Sequence, residues 1–309
     1  MDAALIDETR ALIRAANGRD PDAMMELGKR MLVGRSAPRS VPQGSALVLG
    51  AAEQGHVEAL ALSAVVVALG LVAPANWDAA LVQLRRAGDA GHSTAGRQLA
   101  LLEQLDDAAP SAELICSSPK VWSAKALAPP EVCAWLIERA HGRTALATVY
   151  DAAAGSLGAS TYRTNSLFEF DLAELDLVTV WVRRRIAALL RVEESRLEEA
   201  NVLHYAPGQE FGRHFDFIQP NVPGFAADLA LKGQRVSTAL IYLNDGFGGG
   251  ETEFVRPKLK LKGAPGDAIL FSNVGPWGEP DIASLHAGLA PTSGEKWLFS
   301  QFVRAKPLY

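Results

Sequence analysis

The chain has 309 residues, of which 49% are hydrophobic and 21% are charged. These values are typical of a folded globular protein and exclude a disordered one, and the length allows two domains with separate cores. The net charge of −5 argues against a protein that works mainly through contacts with nucleic-acid phosphates, so no nucleic-acid partner is expected.

Cysteine use and the N-terminus predict a cytoplasmic protein. The two cysteines, Cys116 and Cys133, form neither a disulfide framework nor a Cys-x-x-Cys metal site. Residues 1–8 lack the basic region of a signal peptide. Residues 59–75 carry no charge but are barely long enough for a membrane helix, and a buried helix within a helical array explains them better. We therefore expect no membrane partner.

The first hundred residues contain a repeat. Similar segments recur at a spacing of thirty-six, at residues 15–20, 51–56 and 87–92. A fixed period of this size predicts a solenoid of helix pairs, in which recurring alanines let neighbouring helices approach closely. The pattern resembles Sel1-like repeats over roughly residues 5–105, which implies an α-solenoid that binds a protein or peptide partner. His56 and His92 fall at its corners and are predicted to be structural.

An acidic, proline-containing linker at 106–111 follows the repeats and lacks periodicity, which predicts a domain boundary. The predicted domains are 1–107 and 114–309. In the second domain the prolines of 127–131 open one helix, and apolar residues at helical spacing predict another over 173–190. The period then changes to that of strands, which are predicted at 200–206, 211–217, 236–243, 267–272 and 297–304.

Short strands after two helices predict a β-sandwich or barrel with helices packed outside. The fold class is therefore an α+β two-domain protein, with an N-terminal α-solenoid. Within the strand at 211–217, His214 and Asp216 are two residues apart and point to the same face. They supply two thirds of a 2-His-1-carboxylate triad, which holds a non-haem Fe(II) and leaves positions open for chemistry. A surface hydrogen-bonded pair is the alternative interpretation.

Three histidines outside the repeats, besides His214 itself, are candidates for the third ligand. His141 ends a helix, where a cation is favoured. His204 precedes Tyr205 on a strand, so if Tyr205 faces the pocket His204 does not. His286 remains, and Lys296 stands ten residues after it at the head of an apolar strand. A lysine there is expected near solvent or paired with an anion, and an anionic cosubstrate would serve in a pocket.

Three stretches together resemble the prolyl 4-hydroxylase-type 2-oxoglutarate/Fe(II) dioxygenases over about residues 115–309. They are residues 201–216, residues 235–252 and residues 286–297. The resemblance implies a double-stranded β-helix, or jelly roll, for the second domain. It also implies Fe(II), 2-oxoglutarate, O₂ and L-ascorbate as cofactors or cosubstrates.

The resemblance also implies roles for individual residues. His214, Asp216 and His286 fall on the iron ligands, which are also the catalytic residues. Lys296 falls on the residue that holds the distal carboxylate of 2-oxoglutarate. Further residues match the positions that hydrogen-bond 2-oxoglutarate, and one residue near the substrate differs from the family.

Tyr205 and Thr238 match positions that hydrogen-bond 2-oxoglutarate. Tyr242 lies on the same strand face as Thr238 and is a weaker candidate, with a buried tyrosine whose hydroxyl is already bonded as the alternative. Phe302 stands where the family usually has a tryptophan, which leaves the identity of the prime substrate open. The segment 218–234, next to the iron ligands, is predicted to be a lid loop.

The predicted activity is hydroxylation of an unactivated C–H bond, with a peptide or protein proline as the family's usual substrate. Hydroxylation of a small molecule, such as a free amino acid or a natural product, is an alternative. A third alternative is a Sel1-repeat adaptor protein with an inactive jelly roll, which the four matching site residues disfavour.

Overall fold

The computed structural model describes residues 3–106, 108–151, 156–158 and 160–309. They form two compact units. The helical unit contains the described residues up to Asp106, together with Phe170–Val182 and Tyr309, and the β unit contains the described parts of 107–169 and 183–308. The predicted domain limits, 1–107 and 114–309, stay predictions, because compactness does not establish that a segment folds independently.

Nine α-helices occur in the described ranges. They are α1 (Ala3–Asn17), α2 (Pro21–Val33), α3 (Val41–Glu53), α4 (Val57–Leu69), α5 (Trp77–Asp89), α6 (Ala95–Leu102), α7 (Pro130–Ala140), α8 (Leu177–Leu190) and α9 (Ala226–Lys232). From α1 to α6 each helix packs against the next one in the chain. The helical character of the N-terminal region is thus confirmed, whereas the superhelix of a solenoid stays a prediction.

The corners between paired helices repeat the spacing of thirty-six. Arg19, Gly55 and Gly91 have φ values of 65°, 82° and 89°, a backbone conformation that glycine adopts without strain. Asp20 and His56 cap the following helices, because they accept the amides of Ala23 and Ala59. His92 Nδ1 accepts the Thr94 amide in the turn before α6. Both histidines thus accept a backbone amide at a helix start, as expected of structural residues.

Helix α4 covers most of the uncharged stretch 59–75, and its residues are largely buried inside the helical unit. Within the part of the chain that the structure describes, no helix has both the length and the apolar character needed to span a membrane.

The β unit is built from antiparallel strands. Their bounds are β1 (Glu113–Ser117), β2 (Lys120–Ala124), β3 (Ala145–Leu146), β4 (Val149–Asp151), β5 (Ser156–Gly158), β6 (Ser166–Phe170), β7 (Ala200–Tyr205), β8 (Phe211–His214), β9 (Arg235–Tyr242), β10 (Gly248–Gly249), β11 (Thr252–Phe254), β12 (Leu259–Leu261), β13 (Ala268–Ser272), β14 (His286–Gly288), β15 (Pro291–Ser293) and β16 (Lys296–Arg304).

Two sheets form the body of this unit. The larger has the order β1-β2-β13-β9-β16-β7-β6-β3, and the smaller has the order β12-β11-β14-β8. One apolar core joins them: Phe254 of the smaller sheet meets Phe271 of the larger edge to face, with ring centroids 5.0 Å apart. Two antiparallel sheets around one core confirm the predicted sandwich-type fold.

Two predicted boundaries were too generous. The strand predicted over 211–217 ends at His214, so Asp216 lies just beyond it. The helix predicted from residue 173 begins at Leu177, because the Asp176 carboxylate caps it by accepting the Thr179 amide at 2.8 Å. Strands β1 to β6, β10 to β12, β14 and β15 were not predicted, because most of them are short.

Candidate active site

His214, Asp216 and His286 form one cluster. Strands β8 and β14 pair with His286 directly opposite His214, and Asp216 follows two residues after His214. The Nε2 atoms of His214 and His286 lie 3.4 and 3.6 Å from the two Asp216 carboxylate oxygens. One ligand atom from each residue lies within 4.8 Å of the others, and the group could hold a metal ion. The structure therefore brings the three predicted ligands together.

The two imidazoles are held in the same tautomer. His214 Nδ1 lies 2.8 Å from the Gly212 carbonyl oxygen, and His286 Nδ1 lies 2.9 Å from that of Ser284. Because a carbonyl oxygen only accepts, each Nδ1 carries the hydrogen and donates it. Each Nε2 then keeps its lone pair facing Asp216, which is the arrangement that metal-binding histidines adopt.

Burial sets the charges of this cluster. Burial and, to a lesser extent, the neighbouring His214 lower the pKa of His286 to about 4, so this ring is neutral at neutral pH. Burial would raise the pKa of Asp216, but His286, His214 and a hydrogen bond from Thr238 outweigh it and hold that pKa below its usual range. The cluster thus offers the neutral imidazole of His286 and the carboxylate of Asp216.

A chain of buried side chains orients the carboxylate. The Thr238 hydroxyl donates to Asp216 Oδ2 at 2.7 Å, and Asn273 Nδ2 donates to the Thr238 oxygen at 2.9 Å. The structure therefore places the Thr238 hydroxyl on Asp216, the predicted iron ligand. Its predicted hydrogen bond to 2-oxoglutarate stays a prediction. Asn273 was missed by sequence analysis, since an asparagine at the end of a strand carries no distinctive pattern.

Lys296 lies opposite Tyr205 on the paired strands β16 and β7. Its ammonium group is fully buried, 4.6 Å from the centroid of the Tyr205 ring, and has no hydrogen-bond partner within the described ranges. Burial lowers the pKa of Lys296 to about 7. A buried cation without a partner requires an anion, and one carboxylate of a dicarboxylic acid fits this need.

Tyr205 lines the cavity beside the metal ligands, whereas Tyr242 is fully buried in the core. The Tyr242 hydroxyl donates to the Leu261 carbonyl oxygen at 2.7 Å and shares a 3.1 Å hydrogen bond with Thr252. Both interactions occupy the hydroxyl, so the predicted contact of Tyr242 with 2-oxoglutarate stays a prediction, and the buried-tyrosine alternative describes its present contacts.

Arg163 is a pocket residue that sequence analysis missed. It lines the same cavity, and its guanidinium lies 4.4 Å from the centroid of the Phe211 ring. Its Nε is buried without a hydrogen-bond partner among the residues that the structure describes. A buried donor at a cavity wall is available to an acceptor on a ligand. No signal in the sequence marked this arginine, which lies between β5 and β6.

A buried ion pair supports the far wall. Arg235 binds the Glu198 carboxylate through two hydrogen bonds of 2.8 Å, and its guanidinium covers the Phe302 ring at 3.9 Å. Phe302 lines the cavity, so this pair fixes the ring that stands where a tryptophan was expected. Arg304 also contacts Glu198 and reaches Asp228 of helix α9.

The predicted lid loop 218–234 is not a simple loop. It contains the 3-10 turn Pro223–Phe225 and helix α9. The Gln234 side chain closes its base by accepting the Ile218 amide at 2.6 Å and donating to the Ile218 carbonyl oxygen at 2.7 Å. The segment is thus anchored at both ends. The prolines and glycines in its sequence did not indicate this anchoring.

The donor set fits the implied cofactors. Two imidazoles and a carboxylate suit non-haem Fe(II), and the unpartnered, buried Lys296 suits a dicarboxylate such as 2-oxoglutarate. Residues 200–304 match the sequence profile of the 2OG-Fe(II) oxygenase superfamily. This range contains all the predicted iron ligands and Lys296.

Known proteins with similar sequences define the family more closely. Prolyl 4-hydroxylase 1 of Arabidopsis thaliana is 32% identical over 210 residues, which are 63% of this chain and 72% of the relative. Prolyl 4-hydroxylase subunit alpha-1 of Gallus gallus is 30% identical over 169 residues, but only 32% of that longer protein is covered. The chain belongs to the 2OG-Fe(II) oxygenase superfamily, as a dioxygenase of the prolyl 4-hydroxylase type.

A solved structure is also similar. The viral collagen prolyl hydroxylase of Paramecium bursaria Chlorella virus-1, in complex with 2OG, is 25% identical. The match covers 62% of this chain and 99% of the viral protein, with a TM-score of 0.46.

Proposed function

We propose that this dioxygenase hydroxylates a proline residue within a peptide or protein, at an unactivated C–H bond. Two observations support the proposal. The proposed iron ligands line one cavity with Tyr205, whose ring centroid lies 4.6 Å from the buried Lys296 ammonium group, and the Arabidopsis thaliana relative that the chain covers to 72% of its length is named a prolyl 4-hydroxylase.

In this proposal His214, Asp216 and His286 hold Fe(II), and Lys296 and Tyr205 hold 2-oxoglutarate. Bound Fe(II), 2-oxoglutarate and O₂ supply an oxidant for C–H bonds, and L-ascorbate keeps the iron reduced. The protein's own contribution is orientation and exclusion of water. Thr238 and Asn273 fix the carboxylate, and Lys296 supplies a positive charge for the cosubstrate.

The cavity walls determine which C–H bond approaches. Leu240, Leu298 and Phe302 give the cavity an apolar face, while Arg163 and Asn201 add hydrogen-bond donors. An apolar face suits a pyrrolidine ring, and hydrogen-bond donors in the lining suit the carbonyl groups of a peptide backbone. This lining supports a substrate proline that is flanked by peptide bonds.

Mass spectrometry of a substrate panel tests the proposal. Purified protein is incubated with Fe(II), ascorbate, 2-oxoglutarate and either proline-containing peptides or free amino acids. We expect a peptide product that has gained one oxygen atom, together with an equal amount of succinate. Hydroxylation of free amino acids alone would instead identify a small-molecule hydroxylase. If no succinate forms with peptides or with free amino acids, the result would support the adaptor alternative.

The helical repeats are proposed to bind a protein or peptide partner, as Sel1-like repeats do, and the protein is proposed to be cytoplasmic. Deletion of residues 1–105 tests the first proposal. If turnover of a peptide substrate is unchanged in the deletion variant, the repeats are not required for substrate capture.

A further inference from the structure

The loop between β13 and β14, residues 273–285, carries an unusually exposed aromatic side chain. Trp277 is 93% exposed, more than any other large hydrophobic residue in the described ranges. A single exposed apolar residue needs no functional explanation. Two further features of this loop, its internal bracing and its attachment to the metal ligands, distinguish Trp277 from such residues.

The loop is braced from within. The Gly275 amide donates to the Glu279 carbonyl oxygen at 2.8 Å, and the Trp277 amide donates to Glu279 Oε2 at 3.0 Å. A Cβ atom added at Gly275 would lie 2.1 Å from Glu279 Oε1, so any other residue would displace this carboxylate. The loop therefore fixes the backbone at Trp277 while the indole stays exposed.

Both ends of the loop are bonded to the metal-ligand network. At one end, Asn273 donates to Thr238, which donates to Asp216. At the other end, the Ser284 carbonyl oxygen accepts the Nδ1 hydrogen of His286. A molecule that contacts the loop would thus contact an element fixed to two of the three ligands.

The strand register places the loop at one end of the larger sheet. The Asn273 amide donates to the Val236 carbonyl oxygen, and Thr238 pairs with Phe302 of the cavity wall. Lys296, the proposed cosubstrate residue, pairs with Tyr205 at the opposite end of β16. The loop therefore leaves the sheet at the end away from Lys296, which is where the proposed function would place the peptide.

We propose that Trp277 is a substrate-docking residue, whose indole face stacks on a proline ring that flanks the reacting proline of the peptide. This inference rests on the proposed peptide substrate. A flat, apolar and solvent-exposed indole can stack on a proline ring. Proline-rich segments are already extended, so they lose little entropy on binding. The braced loop likewise loses little freedom.

Fluorescence quenching tests the contact without turnover. The full chain is mixed with a peptide whose reacting proline is flanked by prolines, or with the same peptide carrying alanines in the flanking positions. We expect the proline-flanked peptide to shield tryptophan emission from acrylamide in the wild type, and no such shielding in Trp277→Ala. Three results would overturn the inference. They are equal shielding by both peptides, shielding that persists in Trp277→Ala, and shielding that depends on the protein concentration and not on the peptide concentration.

Kinetics provide the second arm. Trp277→Ala should raise KM for the proline-flanked peptide about tenfold, the factor that corresponds to an aromatic contact of ~1.4 kcal/mol, and should affect kcat much less. Trp277→Phe should restore most of the loss. Gly275→Ala should act in the same direction, because the added methyl displaces the Glu279 carboxylate. Leu114→Ala, which truncates an exposed side chain on edge strand β1, is the control and should change neither constant.

The two proposals fail differently. Wild-type hydroxylation of both peptides, with Trp277→Ala unaffected, would overturn docking by Trp277 and leave prolyl hydroxylation intact. If the wild type hydroxylates no peptide, the proposed function fails. The quenching measurement then decides by itself whether Trp277 binds proline-flanked peptides.

Discussion

In the helical unit, His56 and His92 each point Nε2 at a carboxylate, that of Asp22 at 3.2 Å and that of Glu58 at 3.3 Å. In the β unit, His214 and His286 also lie beside a carboxylate. The same pair of residue types thus recurs in both units. The other ring nitrogen distinguishes the two cases.

In the helices Nδ1 accepts a backbone amide, so the hydrogen sits on Nε2 and is donated to the carboxylate. In the β unit Nδ1 donates to a backbone carbonyl, so Nε2 keeps its lone pair. The first arrangement satisfies both groups and leaves nothing for a metal. The second leaves lone pairs facing one another, which a shared cation would relieve.

The largest expected effect separates these two kinds of histidine. His286→Ala removes a proposed iron ligand, and we expect the rate of succinate formation to fall more than about a hundredfold. This loss exceeds the usual effect of changing a residue that only hydrogen-bonds a metal ligand. The matched change His92→Ala should leave the rate within about twofold, since that ring only bonds the Thr94 amide and the Glu58 carboxylate in the helical unit. Similar losses in both variants would remove the distinction.

The buried lysine should give the next largest effect. Lys296→Met keeps the length of the side chain but removes its charge, and we expect KM for 2-oxoglutarate to rise about tenfold to a hundredfold, as for loss of a charge-assisted hydrogen bond. Lys125→Met, which changes a lysine on the surface of the same unit, serves as the control. An unchanged KM in Lys296→Met would show that another group holds the cosubstrate.

The pKa of Lys296 sets the sign of the pH dependence. Because burial lowers this pKa to about 7, the free protein loses the lysine's proton as the pH rises through about 7. Binding of 2-oxoglutarate requires the charged form, so the affinity should fall between pH 7 and 9 in the wild type. The decrease should be absent in Lys296→Met, which isothermal titration would reveal.

A smaller effect on iron affinity is expected for a residue that hydrogen-bonds a proposed iron ligand. Thr238→Val removes the hydroxyl that donates to Asp216, and we expect about a tenfold loss of iron affinity, the lower end for such residues. Thr238→Ser keeps the hydroxyl and should retain most of the affinity. Equal affinities for all three proteins would mean that the hydrogen bond does not orient the carboxylate.

The smallest effect concerns stability alone. His56→Ala removes the cap of helix α4 and should lower the free energy of unfolding by about 1 kcal/mol, without changing iron content. His56→Asn can still cap the helix and should lose only a few tenths, because the ion pair with Asp22 is largely exposed. Thermal unfolding and metal analysis of the two variants measure both quantities.

The clustering of His214, Asp216 and His286 could be predicted because the spacing of the first two and a family motif both restrict it. Strand β8 ends at His214, so the close spacing of Asp216 rather than strand alternation brings it beside His214. His286 comes from a distant strand and needed the motif. Asn273 and Arg163 could not be predicted, since their roles depend on which strands become neighbours. The start of helix α8 at Leu177 was missed because the hydrogen bond from the Thr179 amide to the Asp176 carboxylate is visible only in the folded chain.

Tyr242 shows the limit of face arguments. It shares a strand face with Thr238, but the Thr252 hydroxyl and the Leu261 carbonyl take up its hydroxyl group. These partners come from β11 and β12, strands of three residues each. Strands of this length have too few residues for an alternating pattern to be recognised.

Anaerobic titration with Fe(II) in the presence of 2-oxoglutarate tests the central claim most directly. We expect one iron per chain and a metal-to-ligand charge-transfer absorption that is lost in Asp216→Ala and kept in Asp22→Ala, the corresponding change in the helical unit. Equal iron binding and equal absorption in Asp216→Ala and the wild type would contradict the assignment of the site.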